Sequence, residues 1–152
     1  MKLKQSIYKV MPTTEIFRRA ADAAEIQTLV EIISQENSIL EIQIFGSAAR
    51  GEMRTGEAGY RKPSDIAFFL IVNTDEERMP VHIRALQLLN NHNILRPVDI
   101  IVWSVEQWKN AQFHALGRAI LRDGKILFKN LNAITPPPEP PCWNNNTAQG
   151  RI

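Results

Sequence analysis

The segment IFGSAARG, residues 44–51, joins an apolar run to a stretch typical of a helix start. Gly46 and Ser47 stand at the junction. A strand that ends at such a pair brings backbone N–H groups and a hydroxyl to one point, and these groups can bind a phosphate. We therefore predict a phosphate-binding turn at Gly46 and Ser47.

Two acidic residues, Asp65 and Asp99, each stand at the head of an apolar run. Alternate residues of a strand share a face, so positions 65 and 67 point the same way, and Asp99 can join them from a neighbouring strand. Three carboxylates there would hold two divalent ions about 3.5–4 Å apart. Mg²⁺ is the natural ion, because it prefers oxygen ligands and shares them with substrate phosphates. The middle position, however, is Ala67, which offers no ligand.

Apolar runs predict the strands that must position these residues. Residues 65–72 form the most continuous run, which predicts an interior strand covered on both faces. Residues 40–45 predict another strand, with Glu41 and Gln43 alternating outward. A third strand is predicted at 98–103.

Helices are predicted between and around these strands, and a fourth strand near the end of the folded part. The predicted elements are a helix from Thr13 or Thr14 to near Asn37, a short helix over 48–53 capped by Ser47, a helix to about Asn90 opened by the capping box Thr74–Glu77, a helix to about Asn110 opened by the capping box Ser104–Gln107, a helix near 112–122 that stops at Asp123-Gly124, and an edge strand at 126–128. This order predicts an α/β (α+β) chain with a small mixed sheet and flanking helices.

Length and composition set the broad class. The 152 residues suit one domain, and 44% apolar with 22% charged residues is ordinary for a globular protein. A net charge of +2 is too small to indicate nucleic-acid binding by itself. The single cysteine, Cys142, can form no internal disulfide, and we interpret it as a bystander thiol. With no signal peptide and no membrane-length apolar run, we expect a cytoplasmic protein.

We predict one domain over residues 1–130, followed by a tail. Residues 131–152 are rich in Pro and Asn, so an extended or disordered tail is expected there.

These motifs resemble the minimal nucleotidyltransferases of the DNA polymerase beta superfamily over about residues 40–129. The resemblance is carried by Gly46-Ser47, Arg50-Gly51, Ser64-Asp65, Val98-Asp99-Ile100 and the closing run 122–128. It implies a polymerase-beta-like fold and transfer of a nucleoside monophosphate, usually from ATP, to a hydroxyl. It also implies that Gly46, Ser47, Arg50 and Gly51 bind the nucleotide, that Asp65 binds metal, and that Asp99 binds the catalytic metal and helps to deprotonate the acceptor.

The chain departs from the family pattern at two places. The family has Asp-x-Asp where this chain has Asp65 and Ala67, so catalysis is expected to be weak or absent in this form. Two explanations stay open: a natural pseudoenzyme, or a variant in which Asp was replaced, which the otherwise intact motif favours. The spacing between Ser47 and Asp65 is also longer than usual. The extra residues form a loop at 55–60, which could contact a partner or be merely an enlarged turn.

Minimal members of this kind resemble the antitoxin half of a bacterial toxin–antitoxin pair. The resemblance implies a protein partner, an all-helical HEPN ribonuclease toxin, on which a tyrosine receives AMP from ATP. One alternative is a stand-alone or toxin-type enzyme acting on RNA ends. The other is a degenerate binding module that neutralises its partner by contact alone.

The remaining polar and aromatic residues near the motifs carry weaker predictions. Arg50, Arg54, Arg61 and Lys62 could contact phosphates or be solvated loop charges, and the sequence does not decide between these readings. Trp103 and Trp108 are interpreted as packing residues. The three histidines lack metal-like spacing and are interpreted as surface residues.

Overall fold

The computed structural model describes residues 8–9, 20–50, 65–94 and 96–130. Five strands and four helices lie in these ranges. The strands are β1 (Tyr8–Lys9), β2 (Glu41–Phe45), β3 (Ile66–Val72), β4 (Val98–Ser104) and β5 (Lys125–Asn130). The helices are α1 (Ala20–Ile33), α2 (Arg78–Asn91), α3 (Val105–Lys109) and α4 (Ala115–Asp123), with 3₁₀ turns at Asp75–Glu77 and Ala111–Phe113. No helix in the described ranges is long and apolar enough to cross a membrane.

The strands form one mixed sheet in the order β1-β5-β2-β3-β4. Strands β3 and β4 are parallel, and the other neighbours are antiparallel. The predicted mixed sheet with flanking helices is therefore confirmed. The interior position of β3 is confirmed too, since all of its residues except Ala67 are buried.

The edge position predicted for residues 126–128 is wrong. Strand β5 lies inside the sheet, between β2 and the short β1, where Tyr8 pairs with Asn130 and Lys9 with Lys129. The strand at the far side of the sheet is β4. The pairing of β1 with β5 depends on two residues near the N-terminus that carry no periodic signal, so a local sequence pattern does not predict it.

Each face of the sheet is covered by its own apolar cluster. On the first face, alternate β3 residues such as Phe68 and Leu70 pack with residues of α1 and α2. On the second face, Phe69 and Ile71 pack with Trp108 of α3 and Ile120 of α4. The sheet is thus the middle of three layers, and this explains the nearly unbroken apolar run of β3.

The outward orientation predicted for Glu41 and Gln43 is wrong, because helices cover both faces of the sheet. Both residues share the second face, and their exposed fractions are only 2% and 4%. Gln43 Nε2 donates a hydrogen bond of 2.7 Å to Glu41 Oε2. Helices α3 and α4 cover a face that the alternation of β2 alone assigns to solvent.

Four of the predicted helices exist with shifted bounds, and the helix predicted over 48–53 falls at the candidate site. α1 ends at Ile33 rather than near Asn37, and the start predicted at Thr13 or Thr14 lies outside the described residues. The helix predicted near 112–122 is divided into a 3₁₀ turn and α4, which ends at Asp123 directly before Gly124 as predicted. Both capping boxes are present at the starts of the segments they predict.

The structure tests the interpretation of the tryptophans as packing residues and of the histidines as surface residues. Trp108 is buried, and its ring centroid lies 5.0 Å from that of Phe69, while the Trp103 ring lies 5.4 Å from the same ring. The interpretation of both tryptophans as packing residues is confirmed. His92 and His114 are exposed, as expected, while His82 is half-buried.

Candidate active site

One edge of the sheet brings together four strand ends. Because β2 is antiparallel to both β3 and β5, its C-terminal end lies beside the N-terminal ends of those two strands. Parallel pairing then adds the N-terminal end of β4. The three motifs that the sequence analysis singled out, at residues 46–47, 65 and 99, therefore meet at this edge.

The register aligns the central positions of the edge in one row. Phe45 of β2 pairs with Ala67 of β3, and Ala67 pairs with Asp99 of β4. Neighbouring strands lie about 4.8 Å apart. Ala67 thus stands directly between the end of β2 and Asp99, and Asp65 lies one residue before the start of β3.

The turn after β2 is built around Gly46. Its φ of +79° lies in the left-handed region, which favours glycine. The Arg50 N–H donates to the Gly46 carbonyl oxygen at 3.2 Å and so closes the turn. Behind it, Ala48 and Ala49 are buried in the first-face cluster and anchor the turn to the core, while Ser47 stays half-buried.

The helix predicted over 48–53 is not seen in its described part. Residues 47–50 form turns rather than helix, and residues 51–53 lie outside the described ranges. The candidate nucleotide-binding residue Gly51 lies outside them too, as do Arg54, Arg61, Lys62, the 55–60 loop, Cys142 and the tail 131–152.

Asp65 and Asp99 are both exposed at the edge. Within the described part of the chain, neither carboxylate is engaged by a hydrogen-bond donor or an ion pair. Arg96, which the sequence places near Asp99, instead donates to both carboxylate oxygens of Glu25, at 2.7 and 3.2 Å. Among the described residues, therefore, nothing occupies the two carboxylates that an external ligand would bind.

The donor set fits one metal ion better than two. Among the described residues, no group of three or more His, Cys, Asp or Glu side chains is placed to hold a metal. Two exposed carboxylates still suit a Mg²⁺ ion, which commonly takes one or two protein carboxylates and fills its shell with water and substrate phosphates. A pair of ions would need the ligand that Ala67 does not provide.

An ion-pair group that the sequence analysis did not assign lies beside the turn. Asp123, at the end of α4, accepts from Arg122 at 3.0 and 3.1 Å and from Arg50 at 3.4 Å. Hydrogen bonding from Arg122, with a further contribution from Arg50, holds the pKa of Asp123 below its ordinary value although burial opposes this. In the sequence, Asp123-Gly124 indicates the end of a helix and belongs to the closing run 122–128, but neither pattern indicates a contact with Arg50, 73 residues away.

Comparisons with known proteins find solved structures that are similar to this chain, and two of them are described below. No protein-family model matches it, and no curated protein matches it. A toxin–antitoxin complex with AMP-PNP is 17% identical and has a TM-score of 0.38, over 68% of this chain and 69% of that chain. A candidate nucleotidyltransferase from Sulfolobus solfataricus is 25% identical and has a TM-score of 0.38, over 78% and 87% of the two chains. A TM-score this low does not establish a shared fold, so neither neighbour assigns an activity to this chain.

Proposed function

We propose that this chain has the architecture of a metal-dependent nucleotidyltransferase, with its active site at the sheet edge described above. The observation that carries the proposal is the convergence of the Gly46 turn with Asp65 and Asp99 through the register Phe45–Ala67–Asp99. Any one of these motifs alone is a common strand end. Their convergence at one edge of the sheet supports a site in which hydrogen-bond donors for a phosphate stand near two carboxylates.

In this proposal the turn binds the phosphates and the two aspartates bind the metal ion. Backbone N–H groups of the turn and the Ser47 hydroxyl bind the phosphates of a nucleoside triphosphate. Asp65 and Asp99 hold Mg²⁺, which when bound neutralises charge on the phosphates and the leaving pyrophosphate. Asp99 also helps to take the proton from the acceptor hydroxyl, whose oxygen then bonds to the α-phosphorus as pyrophosphate leaves.

Ala67 sets the activity of this form. A third carboxylate at this position would stabilise transition-state charge by several kcal/mol, so its absence costs a factor of about 100 or more in rate. The chain as it stands is therefore proposed to bind a nucleotide but to transfer it weakly or not at all.

For the acceptor, we propose a tyrosine of a HEPN ribonuclease toxin, which receives AMP from ATP, so that the chain acts as an antitoxin. This proposal rests on the motif resemblance. A second candidate is favoured by Ala67 itself: a chain that has lost a metal ligand could neutralise its partner by contact alone. Modification of RNA ends is the third reading.

The test is restoration of the missing ligand by Ala67→Asp. The neighbouring gene is first inspected for a small all-helical ribonuclease; the variant is co-expressed with that protein, which is then examined by intact-mass spectrometry. We expect one or more AMP units on the ribonuclease with Ala67→Asp and few or none with the parent chain. The matched control, Ala67→Asn, has similar volume without the charge, and adding Asp99→Asn to Ala67→Asp should abolish the gain.

The other readings give different results in the same experiment. Transfer of labelled nucleotide to RNA instead of protein supports the RNA-end reading. A tight complex without transfer from Ala67→Asp to protein or RNA supports the contact-only reading and overturns the transferase proposal.

A further inference from the structure

The Arg50–Asp123–Arg122 group is asymmetric in its bonding. Arg122 binds Asp123 through two nitrogens, Nε to Oδ1 at 3.1 Å and Nη2 to Oδ2 at 3.0 Å. Arg50 contacts Asp123 through one longer hydrogen bond, from Nη1 to Oδ2 at 3.4 Å. Of the two guanidinium groups, that of Arg50 is therefore held more weakly by Asp123.

The free energy needed to separate Arg50 from Asp123 depends on how far the Asp123 carboxylate is buried. The Asp123 side chain is only 14% exposed, and a carboxylate with so little solvent needs a counter-ion. Arg122 would remain as that counter-ion through both of its hydrogen bonds. Arg50, whose side chain is 43% exposed, can therefore leave Asp123 without stranding a buried charge.

Arg50 also belongs to the proposed phosphate turn through its backbone. Its N–H closes the turn on the Gly46 carbonyl oxygen, while its side chain contacts Asp123, two residues before the start of β5. A phosphate bound at the turn would compete with the Asp123 carboxylate for the same guanidinium, since both are oxyanions that suit arginine.

We propose that Asp123 is a positioning residue that holds Arg50 beside the turn until a triphosphate takes its place. Arg50 then exchanges the Asp123 carboxylate for a phosphate oxygen, and Arg122 keeps Asp123 neutralised. This proposal rests on the proposed function. It adds to the site the carboxylate of Asp123, which competes with the substrate phosphates for the Arg50 guanidinium.

The test measures binding of tripolyphosphate in the presence of Mg²⁺ by isothermal titration calorimetry. Four proteins form a double-mutant cycle: the parent chain, Asp123→Asn, Arg50→Gln and the double variant. We expect Asp123→Asn to bind about threefold to fivefold more tightly than the parent, the range that an exposed ion pair supports. In the Arg50→Gln background, the same change should have little effect. Glu76→Gln, which removes an exposed carboxylate from the segment after the opposite end of β3, is the matched control.

Two outcomes of the cycle overturn the proposal. Equal tightening with and without Arg50 would indicate a general charge effect, and weaker binding by Asp123→Asn would indicate a purely structural anchor. A second measurement needs no variant: in the parent chain, the Arg50 Nε–Hε signal in nuclear magnetic resonance should shift on addition of tripolyphosphate while that of Arg122 should not. Equal shifts, or no shift of either, contradict the exchange.

This inference and the transferase proposal fail in different ways. Absence of tripolyphosphate binding in all four proteins overturns both the phosphate turn and the exchange. Binding with the expected cycle, but without AMP transfer by Ala67→Asp, overturns only the transferase.

Discussion

Gly46 and Gly124 lie near the same edge of the sheet but are required for different reasons. At Gly46 a Cβ would meet no atom of the described residues within 4 Å, so the constraint is the φ of +79°. At Gly124 the φ of −65° suits any residue, but a Cβ would lie 2.5 Å from both Gln43 Oε1 and the Ile120 carbonyl oxygen. The first glycine is needed for its backbone, the second for its lack of a side chain.

Substitution at Gly46 tests the backbone argument. Gly46→Ala should lower the free energy of unfolding by about 1–2 kcal/mol, the usual cost of the left-handed region for an L-residue. Gly46→Asn should cost clearly less, because asparagine is enriched there. Urea denaturation followed by circular dichroism measures both, and equal losses from the two variants would contradict a conformational cause.

The ion pairs of Asp123 predict a dependence of stability on pH. Arg122, and to a smaller extent Arg50, keep the pKa of Asp123 below the ordinary value of 3.8. Because the folded-state pKa is the lower one, protonation favours unfolding: the stabilisation is present above pH 3.8 and is lost as pH falls through the folded-state pKa. The advantage of the parent chain over Asp123→Asn should therefore shrink in acid.

Denaturant unfolding across the acid range measures this difference. We expect a gap below about 1 kcal/mol at neutral pH, since the arginines are partly exposed. With Arg122→Gln in both proteins, the gap should change less with pH. A gap that stays constant into acid would show that Asp123 stabilises the fold by packing rather than by charge.

At the scale of elements, two capping boxes start segments at the far end of the sheet, away from the candidate site. The Ser104 hydroxyl accepts from the Gln107 N–H at 3.3 Å, and Gln107 Oε1 accepts from the Ser104 N–H at 3.0 Å. Ser104 is buried, whereas Thr74, which begins the other box, is exposed. The same spacing therefore caps two segments in different environments.

The difference in burial predicts that removing the Ser104 hydroxyl destabilises the protein more than removing the Thr74 hydroxyl. Ser104→Ala should destabilise the protein by about 1 kcal/mol, because the Gln107 N–H loses its acceptor at a part-buried site. Thr74→Ala should cost less, since water can replace the lost contact. Midpoints of urea denaturation for the two variants give the comparison, and an equal or larger loss from Thr74→Ala would contradict the role of burial.

At the scale of the whole molecule, the short link between α4 and β5 aligns the second helical layer with the sheet. Gly124 donates its N–H to the Ile120 carbonyl oxygen at 2.7 Å and lets β5 begin at once, beside Ile44 of β2. The same link places Asp123 next to the turn that carries Arg50. The geometry of the site edge thus depends on close packing between elements that are distant in sequence.

Gly124→Ala tests this dependence. The added methyl group should destabilise the protein by about 1–3 kcal/mol, as overpacking does. Adding Gln43→Ala should restore little, because the backbone oxygen of Ile120 still blocks the site. Thermal unfolding of the single and double variants measures the effect. Full recovery in the double variant would show that only the flexible Gln43 side chain resists the methyl group.

Much of the architecture follows from the sequence by local physics. The apolar runs at 40–45, 65–72 and 98–103 predict β2, β3 and β4, because a strand in a covered sheet needs apolar side chains. The capping boxes at Thr74 and Ser104 mark the starts of the segments that follow β3 and β4, because the first N–H groups of a helix need acceptors. The sequence also determines that position 67 carries no carboxylate, and no fold can supply one.

Long-range pairing decided the rest. The burial of Glu41 and Gln43 depends on a second helical layer, and the interior place of β5 depends on residues 8–9; neither is encoded in the alternation of a single strand. Likewise, Arg50 and Asp123 meet only because β5 returns antiparallel to β2. Local patterns specify which surfaces must be buried, but only the packed chain determines which distant residues bury them and which side chains then meet at the site.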